Sequence, residues 1–444
     1  MAQTAPEPII IPWGRDGTLP LALPAGWPVE VCWPDLNGTL ENYPNALEHA
    51  LDTPRGDERL EQGIGPGTTV AIVVDDPSRW TPVREALPIL VRRILDAGVR
   101  SADVSISVGV GRHHAVDAQA MRKRVGDAIV DAYPCFSPPV DDLSQYVDLG
   151  TTPEGVPVRV FRPVAEADLR VLVGSVLPHL QAGFGGGYKL IFPGTSHRST
   201  LGALHRQGLD GDTNRLLGGD VRENPMRRAI QSASALLKGR CVSVSHLLGE
   251  PGQVLRVETG SVDAVQETLS DEARARLRAP LGESADVVVA SNDPWPGDPM
   301  QSFKVLLNHR AAGHPGGVLV GLFWTDPAEL DRSFPLSALR LIAGSGAVGG
   351  WVTSRGLRLA DRAATAVGSP SRFMVRWARE LVVDRTVLVY SPILRARLGP
   401  RLGPIRLFDD LPSLWQAAAE ASGQSRPTVR VFPRGGLTYC SSGA

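Results

Sequence analysis

Apolar residues along this chain fall into two alternating patterns: short unbroken runs, and longer stretches in which they recur every three or four positions. Thr69–Val74 (TVAIVV) is an unbroken run of the length expected for a strand buried on both faces. After the loop DDPSRWTP, Val83–Ala97 places apolar residues at helical spacing and stops at Gly98, which predicts an amphipathic helix with a glycine end. Val104–Val110 repeats the strand pattern, a helix resumes around Ala118, and a third strand is predicted at Leu169–Val173. Strands at Val242–His246 and Val254–Glu258 and a helix over Asp263–Leu277 follow. Upstream, Ile9–Pro34 reads as short strands and turns at a domain edge, and Leu36–Gly67 as a helical region ending in GPG. A strand–loop–helix unit repeated in this way predicts a parallel sheet with helices on its faces.

The pattern restarts after APLGES. Asp286–Ala290, Val318–Trp324, Thr386–Tyr390 and Ile405–Phe408 read as strands. Helices are predicted from about Met300 to Ala311, within Phe373–Val383 and over Leu411–Ala421, and Thr428–Phe432 as a last strand. The fold class is therefore α/β, with two domains of mainly parallel sheet and an active-site cleft between them. We place the N-terminal domain at 1–278 and the C-terminal domain at 284–421, with 422–444 returning to the N-terminal domain.

Ligands of parallel sheets gather at the carboxyl ends of the strands. There the sequence places Asp76 and Arg79 after one strand, His113 and His114 after the next, and His179 after the third. His179 stands ten positions before Lys189, with Gly183, Gly185, Gly186 and Gly187 between them. Glycines allow positive φ and close approach of the backbone, and successive exposed N–H groups form an anion cradle, so a phosphate fits beside an imidazole and an amine. Neither common nucleotide signature is present, since no Ser or Thr follows Lys189 directly and the G-x-G-x-x-G spacing is not kept.

Charge narrows the partner. The 46 Lys and Arg residues nearly balance 47 Asp and Glu, which gives no pull toward nucleic acid or an anionic membrane and favours a small molecule. Four scattered cysteines with no C-x-x-C pair suit a reducing compartment, and no apolar run reaches the ~20 residues of a membrane helix. A cytoplasmic protein is the expectation.

Asp76-x-x-Arg79, Gly111-x-His113, Pro178-His179-x-x-Ala182-Gly183-Phe184-x-Gly186-Gly187-x-Lys189, His205 and Asp298-x-x-Gln301-x-x-Lys304 occur in one order across most of the chain. Together they resemble the nickel-pincer lactate racemase family. The resemblance implies a two-domain enzyme that inverts C2 of a 2-hydroxy acid, lactate or another short aliphatic acid. It implies a nickel-pincer nucleotide, pyridinium-3-thioamide-5-thiocarboxylic acid mononucleotide, held covalently at Lys189 with His205 as the protein's nickel ligand. Enzymes that make and insert that cofactor would be partners. Trp80, Gly185, Tyr188 and Met300 depart from the residues common in the family and bear on which acid is preferred. His114 stands where arginine is common.

The chemistry of these residues agrees with that reading. C2–H of a 2-hydroxy acid is unactivated, so inversion proceeds more easily by loss and return of hydride through a 2-keto acid than by loss of a proton. Each direction needs a base for the hydroxyl, and imidazole, with its pKa of ~6.5, suits neutral pH. We assign His113 and His179 as the two bases, and Arg79 with Gln301 and Lys304 as the carboxylate or substrate clamp. Asp76 orients Arg79 or a neighbouring donor beside the cofactor, and Gly185, Gly186 and Gly187 receive the phosphate. Other readings are the same chemistry on a larger acid (malate, an aryl-lactate or a sugar acid), a hydrolase with zinc on His113, His179 and His205, and a nucleotide-binding module without catalysis. His197, His246, His309 and His314 are expected to be structural.

Overall fold

The computed structural model describes residues 7–14, 16–111, 115–209, 213–295, 299–328, 330, 355–363, 372–383 and 385–441. The chain divides into two units, residues 36–276 and residues 1–35 with 277–444.

The first unit is built on six strands in the order Val254–Ser261, Arg240–Leu248, Leu169–Ser175, Val70–Asp75, Val104–Gly109 and Cys135–Phe136. All neighbours are parallel except the hairpin of Arg240–Leu248 with Val254–Ser261. The unbroken run Val70–Val74 has the cause the sequence suggests. Alternate residues serve opposite faces: Val70, Ile72 and Val74 pack with Leu87, Leu90 and Ile94 of the helix Val83–Asp96. Ala71 and Val73 pack on the other side with Ala203, Met226 and Ile230. Both faces being covered, no polar position survives inside the strand.

The second unit holds seven strands in the order Arg401–Leu402, Ile405–Phe408, Thr386–Tyr390, Gly313–Leu322, Ala285–Ser291, Val429–Phe432 and Val29–Val31. Only the pair Arg401–Leu402 and Ile405–Phe408 is antiparallel. The mainly parallel α/β character expected from the sequence is present in each unit.

The division of the chain differs from the expected one. Residues 1–35 belong to the second unit: Val29–Val31 pairs with Val429–Val431, and Ile11 and Leu21 of the hairpin Ile9–Trp13/Gly17–Leu21 join the core around Val287, Val320 and Trp415. The terminal strand Val429–Phe432 stays in the second unit between Ala285–Ser291 and Val29–Val31, and does not return to the first. A short strand offers the same main-chain groups to any sheet, so local pattern assigns it a strand but not a partner. The helical region expected over 36–67 contains one helix, Tyr43–Asp52; Gly56 and Gly63, both at positive φ, punctuate the turns after it. Among the described residues no helix is long and apolar enough to cross a membrane.

Two buried histidines act as structural parts, one in each unit. His246 is fully buried, with Nδ1 2.9 Å from the Gly174 carbonyl oxygen and Nε2 2.9 Å from the Tyr43 hydroxyl. His309 is also fully buried, with Nδ1 2.8 Å from the Val305 oxygen and Nε2 2.9 Å from Thr438 Oγ1. Burial pushes each imidazole down to about 4. The unfolded chain takes up these protons near pH 6.5 while the folded one refuses them until about 4, so stability falls as pH drops through that window and is unaffected above it. At 1.36 kcal/mol per pKa unit each site accounts for on the order of 3 kcal/mol by pH 4. Calorimetry at pH 7 and pH 5 is expected to show lower melting temperatures at pH 5, and a smaller drop in His246→Gln and His309→Gln. An undiminished drop in both variants would refute the assignment.

Candidate active site

The loop after strand Val70–Asp75 carries Asp76 and Arg79 and is held from beneath by a residue the sequence reading passed over. Arg124, in the helix Ala118–Val125, is buried; its Nε donates to the Asp75 carbonyl at 3.1 Å and Nη1 to the carbonyls of Arg79 at 2.9 Å and Thr81 at 3.1 Å. Its Nη2 pairs with the Asp75 carboxylate. Asp75 also accepts from the Thr81 hydroxyl at 2.6 Å. Burial raises the Asp75 carboxyl above its ordinary range, and Arg124 acts in the opposite direction. On this platform Asp76 Oδ1 accepts the Ser78 N–H at 2.9 Å, and Asp76 Oδ2 lies 4.0 Å from Arg79 Nε. Asp76 and Arg79 thus lie at ion-pair distance on the same loop. In sequence, Arg124 sits in the basic run MRKRVG, which reads as a solvated helix face.

The His179–Lys189 segment begins as a miniature hairpin, Pro178–His179 paired with Gly183–Phe184. The His179 ring closes the turn: its Nδ1 accepts the N–H of Gln181 at 3.2 Å and of Ala182 at 3.1 Å. A nitrogen that accepts from two amides has no proton, so the neutral ring carries its proton on Nε2. Gly183, Gly186 and Gly187 all have positive φ. At Gly186, φ 75° with ψ −177° is backbone only glycine adopts readily, and a β-carbon there would come within 2.9 Å of Val176 Cγ2 and 3.1 Å of the Ser175 oxygen. The chain then turns into the short 3-10 helix Gly187–Leu190, which leaves Lys189 half-buried.

The core of this loop is Arg227, again absent from the sequence reading. Asn224 caps the helix Pro225–Ser234 by accepting the Arg227 N–H at 3.1 Å, and its Nδ2 donates to the Gln181 carbonyl at 2.8 Å. The cap therefore fixes Arg227 in the first turn, against the loop. Buried Arg227 donates through Nε to Ala182 O at 3.1 Å, through Nη1 to Gly186 O at 3.2 Å, and through Nη2 to Gly185 O at 2.7 Å and to Phe184 O. Burial lowers the guanidinium to about 9, which leaves it charged at neutral pH. The sequence signal was the pair Asn224-Pro225, a helix start, followed by the buried stripe Met226, Ala229, Ile230 and Ala233, with Arg227 next to it.

His205 lies in the helix Arg198–Gln207 with Nδ1 2.8 Å from the Leu201 carbonyl oxygen. A carbonyl only accepts, so Nδ1 carries the proton and Nε2 keeps its lone pair, the state a metal ligand requires. Gln181, fully buried, donates from Nε2 to the His205 carbonyl at 2.9 Å and so ties the His179 turn to that helix. Strand Val104–Gly109 meets the same loop: the Gly111 N–H donates to Gly194 O at 2.9 Å, and the Gly194 N–H donates to Lys189 O at 3.1 Å. His113 and His114 lie outside the described residues, as does Asp298.

Asp76, Arg79, His179, Gly185, Gly186, Gly187, Lys189 and His205 all belong to the first unit. Gln301 and Lys304 belong to the second, on the helix Pro299–His309. There Lys304 Nζ donates to Gln301 Oε1 at 3.3 Å and lies 5.5 Å from the centroid of the Trp377 ring.

Loops at the carboxyl ends of parallel strands, glycines at positive φ and an imidazole that carries its proton on Nδ1 are features of an α/β ligand-binding protein. Residues 14–216 match the lactate racemase N-terminal domain. The lactate racemase of Thermoanaerobacterium thermosaccharolyticum is 27% identical over 283 residues, 62% of this chain and 64% of that protein. That of Lactiplantibacillus plantarum is 25% identical over 276 residues, with the same shares of 62% and 64%. The chain thus spans 64% of the length of each of these relatives. The lactate racemase apoprotein of T. thermosaccharolyticum shares the fold at a TM-score of 0.81 and 20% identity, covering 98% of this chain and 99% of that one. A Thermotoga maritima protein does so at a TM-score of 0.63 and 15% identity, covering 90% of this chain and 100% of that one. Over residues 14–216 the chain is thus similar to the lactate racemase N-terminal domain.

The strain at Gly186 is directly testable. Gly186→Ala combines a backbone cost of about 1–3 kcal/mol with contact on Val176. Gly155→Ala has φ 76° but open space around the added methyl, and serves as control. Thermal melts are expected to drop by several degrees more for Gly186→Ala than for the control; equal shifts would contradict the packing argument.

Proposed function

We propose that the protein is a racemase or epimerase of a 2-hydroxy acid, lactate or another short aliphatic acid, that works with a nickel-pincer nucleotide. The observation that carries this reading is that Asp76, Arg79, His179, Lys189 and His205 all fall within the matched residues 14–216, with His205 presenting an unprotonated Nε2. Among the described residues no three His, Cys, Asp or Glu side chains gather around a metal position. That suits a nickel whose remaining donors come from its nucleotide and which asks the protein for a single imidazole.

Lys189 would hold the nucleotide covalently, His205 Nε2 would ligate nickel, and the N–H groups of the glycine loop would take the phosphate. When bound, the group supplies a reversible hydride acceptor, so that C2 becomes planar and can be refilled from either face. Arg79, oriented by Asp76, offers its planar fork to the substrate carboxylate. Gln301 and Lys304 are assigned to substrate binding, and His113 and His179 to the hydroxyl proton. The amide contacts of His179 sharpen its part. In the position it holds, Nε2–H donates, and to accept the hydroxyl proton at Nε2 the ring has to release the amides of Gln181 and Ala182. This turn is the conformational step the proposal requires of His179.

Intact-mass spectrometry of protein co-produced with cofactor-making enzymes is expected to show a mononucleotide-sized adduct that Lys189→Ala lacks. His179→Ala should keep the adduct and lose about 10²–10⁴-fold in racemisation, followed by chiral chromatography over a panel of 2-hydroxy acids. Racemisation by protein without any adduct would sink the proposal, and the panel decides between short and larger acids.

A further inference from the structure

Arg227 is a buried cation that makes no ion pair among the described residues; its hydrogen-bond acceptors there are main-chain carbonyls of Ala182, Phe184, Gly185 and Gly186. Four hydrogen bonds to a charged donor stabilise the buried guanidinium, while taking it out of water carries a desolvation cost that opposes them. The two terms are comparable, so stability alone is a weak reason for a charge here. Orientation is a stronger one. In a trans peptide C=O and N–H point in opposite directions. Drawing in the carbonyls of Gly185 and Gly186 therefore turns the N–H groups of Gly186 and Gly187 away from the guanidinium. The preceding peptide shows the same geometry with a partner in place: Phe184 O faces Arg227 while the Gly185 N–H donates to Leu177 O at 2.7 Å.

The next two N–H groups have no such acceptor among the described residues, although Gly186 and Gly187 are both buried. Buried donors without an acceptor are rare and point to a missing partner. Beside them lies a second unpartnered group. Gln266 is 94% buried (6% exposed), its Nε2 donates to Ser270 Oγ at 2.8 Å, and its Oε1 has no partner. That end of the carboxamide faces the glycines, 2.7 Å from where a β-carbon of Gly187 would stand. Exchanging the two ends of the amide keeps the Ser270 contact, with the hydroxyl donating, and turns an N–H toward the loop.

We propose that Arg227 is the positioning residue of an anion seat made by the N–H groups of Gly186 and Gly187 with the Gln266 carboxamide, and that the seat takes a phosphate monoester. The guanidinium acts through the loop: it sets the direction of the amides and places a positive charge behind them, with Asp263 the carboxylate that acts on it. The phosphate belongs to the nucleotide of the proposed function, so this assignment rests on that reading.

The test uses the full-length protein without cofactor, with inorganic phosphate and nicotinate mononucleotide as probes. Calorimetric titration is expected to show binding of both, and hydrogen exchange read by mass spectrometry to slow at the Gly186 and Gly187 amides when either is added. Arg227→Lys keeps the charge but not the fork, and is expected to melt within a few degrees of the parent while binding at least tenfold more weakly. A folded Arg227→Lys variant with undiminished affinity overturns the positioning role. Unchanged exchange at both amides under saturating probe overturns the seat, and needs no variant to fold. Probe binding in a protein that never acquires an adduct at Lys189 upholds the seat and removes the nickel-pincer reading; an adduct with no probe binding or amide protection does the reverse.

Discussion

A buried guanidinium surrounded by carbonyl oxygens is the interaction on which the site depends. Arg227 organises Ala182–Gly186, and Arg124 does the same for the loop from Asp75 to Thr81. A glycine-rich loop has the largest conformational entropy to lose on ordering, and cannot hold itself by side-chain packing. The planar fork supplies what glycines lack: several donors at fixed angles, from one side chain, reaching several peptides at once. Arg170 follows the same rule away from the site. It is fully buried and donates to Val164, Ala165 and Lys238 carbonyls at 2.6 Å each, so the device belongs to how this unit fixes irregular backbone in general.

The differences among the histidines follow from single acceptor choices. His205 gives its Nδ1 proton to a carbonyl and leaves Nε2 unprotonated; His179 takes two amide protons at Nδ1 and must carry its own on Nε2. The two rings have opposite tautomers although one buried glutamine, Gln181, connects their segments. His246 and His309 have both nitrogens occupied inside the core. Tautomer and burial, rather than residue type, divide the candidates for chemistry from the structural parts.

Much of the fold was legible because burial writes itself into periodicity: Val70–Val74 is apolar throughout because both faces are covered, and Val83–Asp96 is amphipathic because one face is. Asp76, Arg79, His179, Lys189 and His205 stand out in the sequence as candidates because a strand end, a glycine run and a helix each leave a local mark. What was not legible depends on partners distant in sequence. Arg124 and Arg227 have the composition of surface residues and are buried only because carbonyls 43 to 49 and 41 to 45 positions away meet them. Val29–Val31 and Val429–Phe432 are short strands whose sheet cannot be named from their own residues.

The pairing of Val29–Val31 with Val429–Val431 bears on the order in which the chain can fold. Residues 36–276 form a continuous insert in a unit whose sheet needs strands from both sides of it. During synthesis, every strand of the six-stranded sheet exists once residue 261 has been made. The seven-stranded sheet must wait for Phe432, and until then Val29–Val31 has no neighbour in the sheet and Ala285–Ser291 lacks one of its two. The insert is thus free to finish early through nearer contacts, whereas its host closes only across some four hundred residues, the kind of distant pairing that slows folding and prolongs the exposure of strand edges.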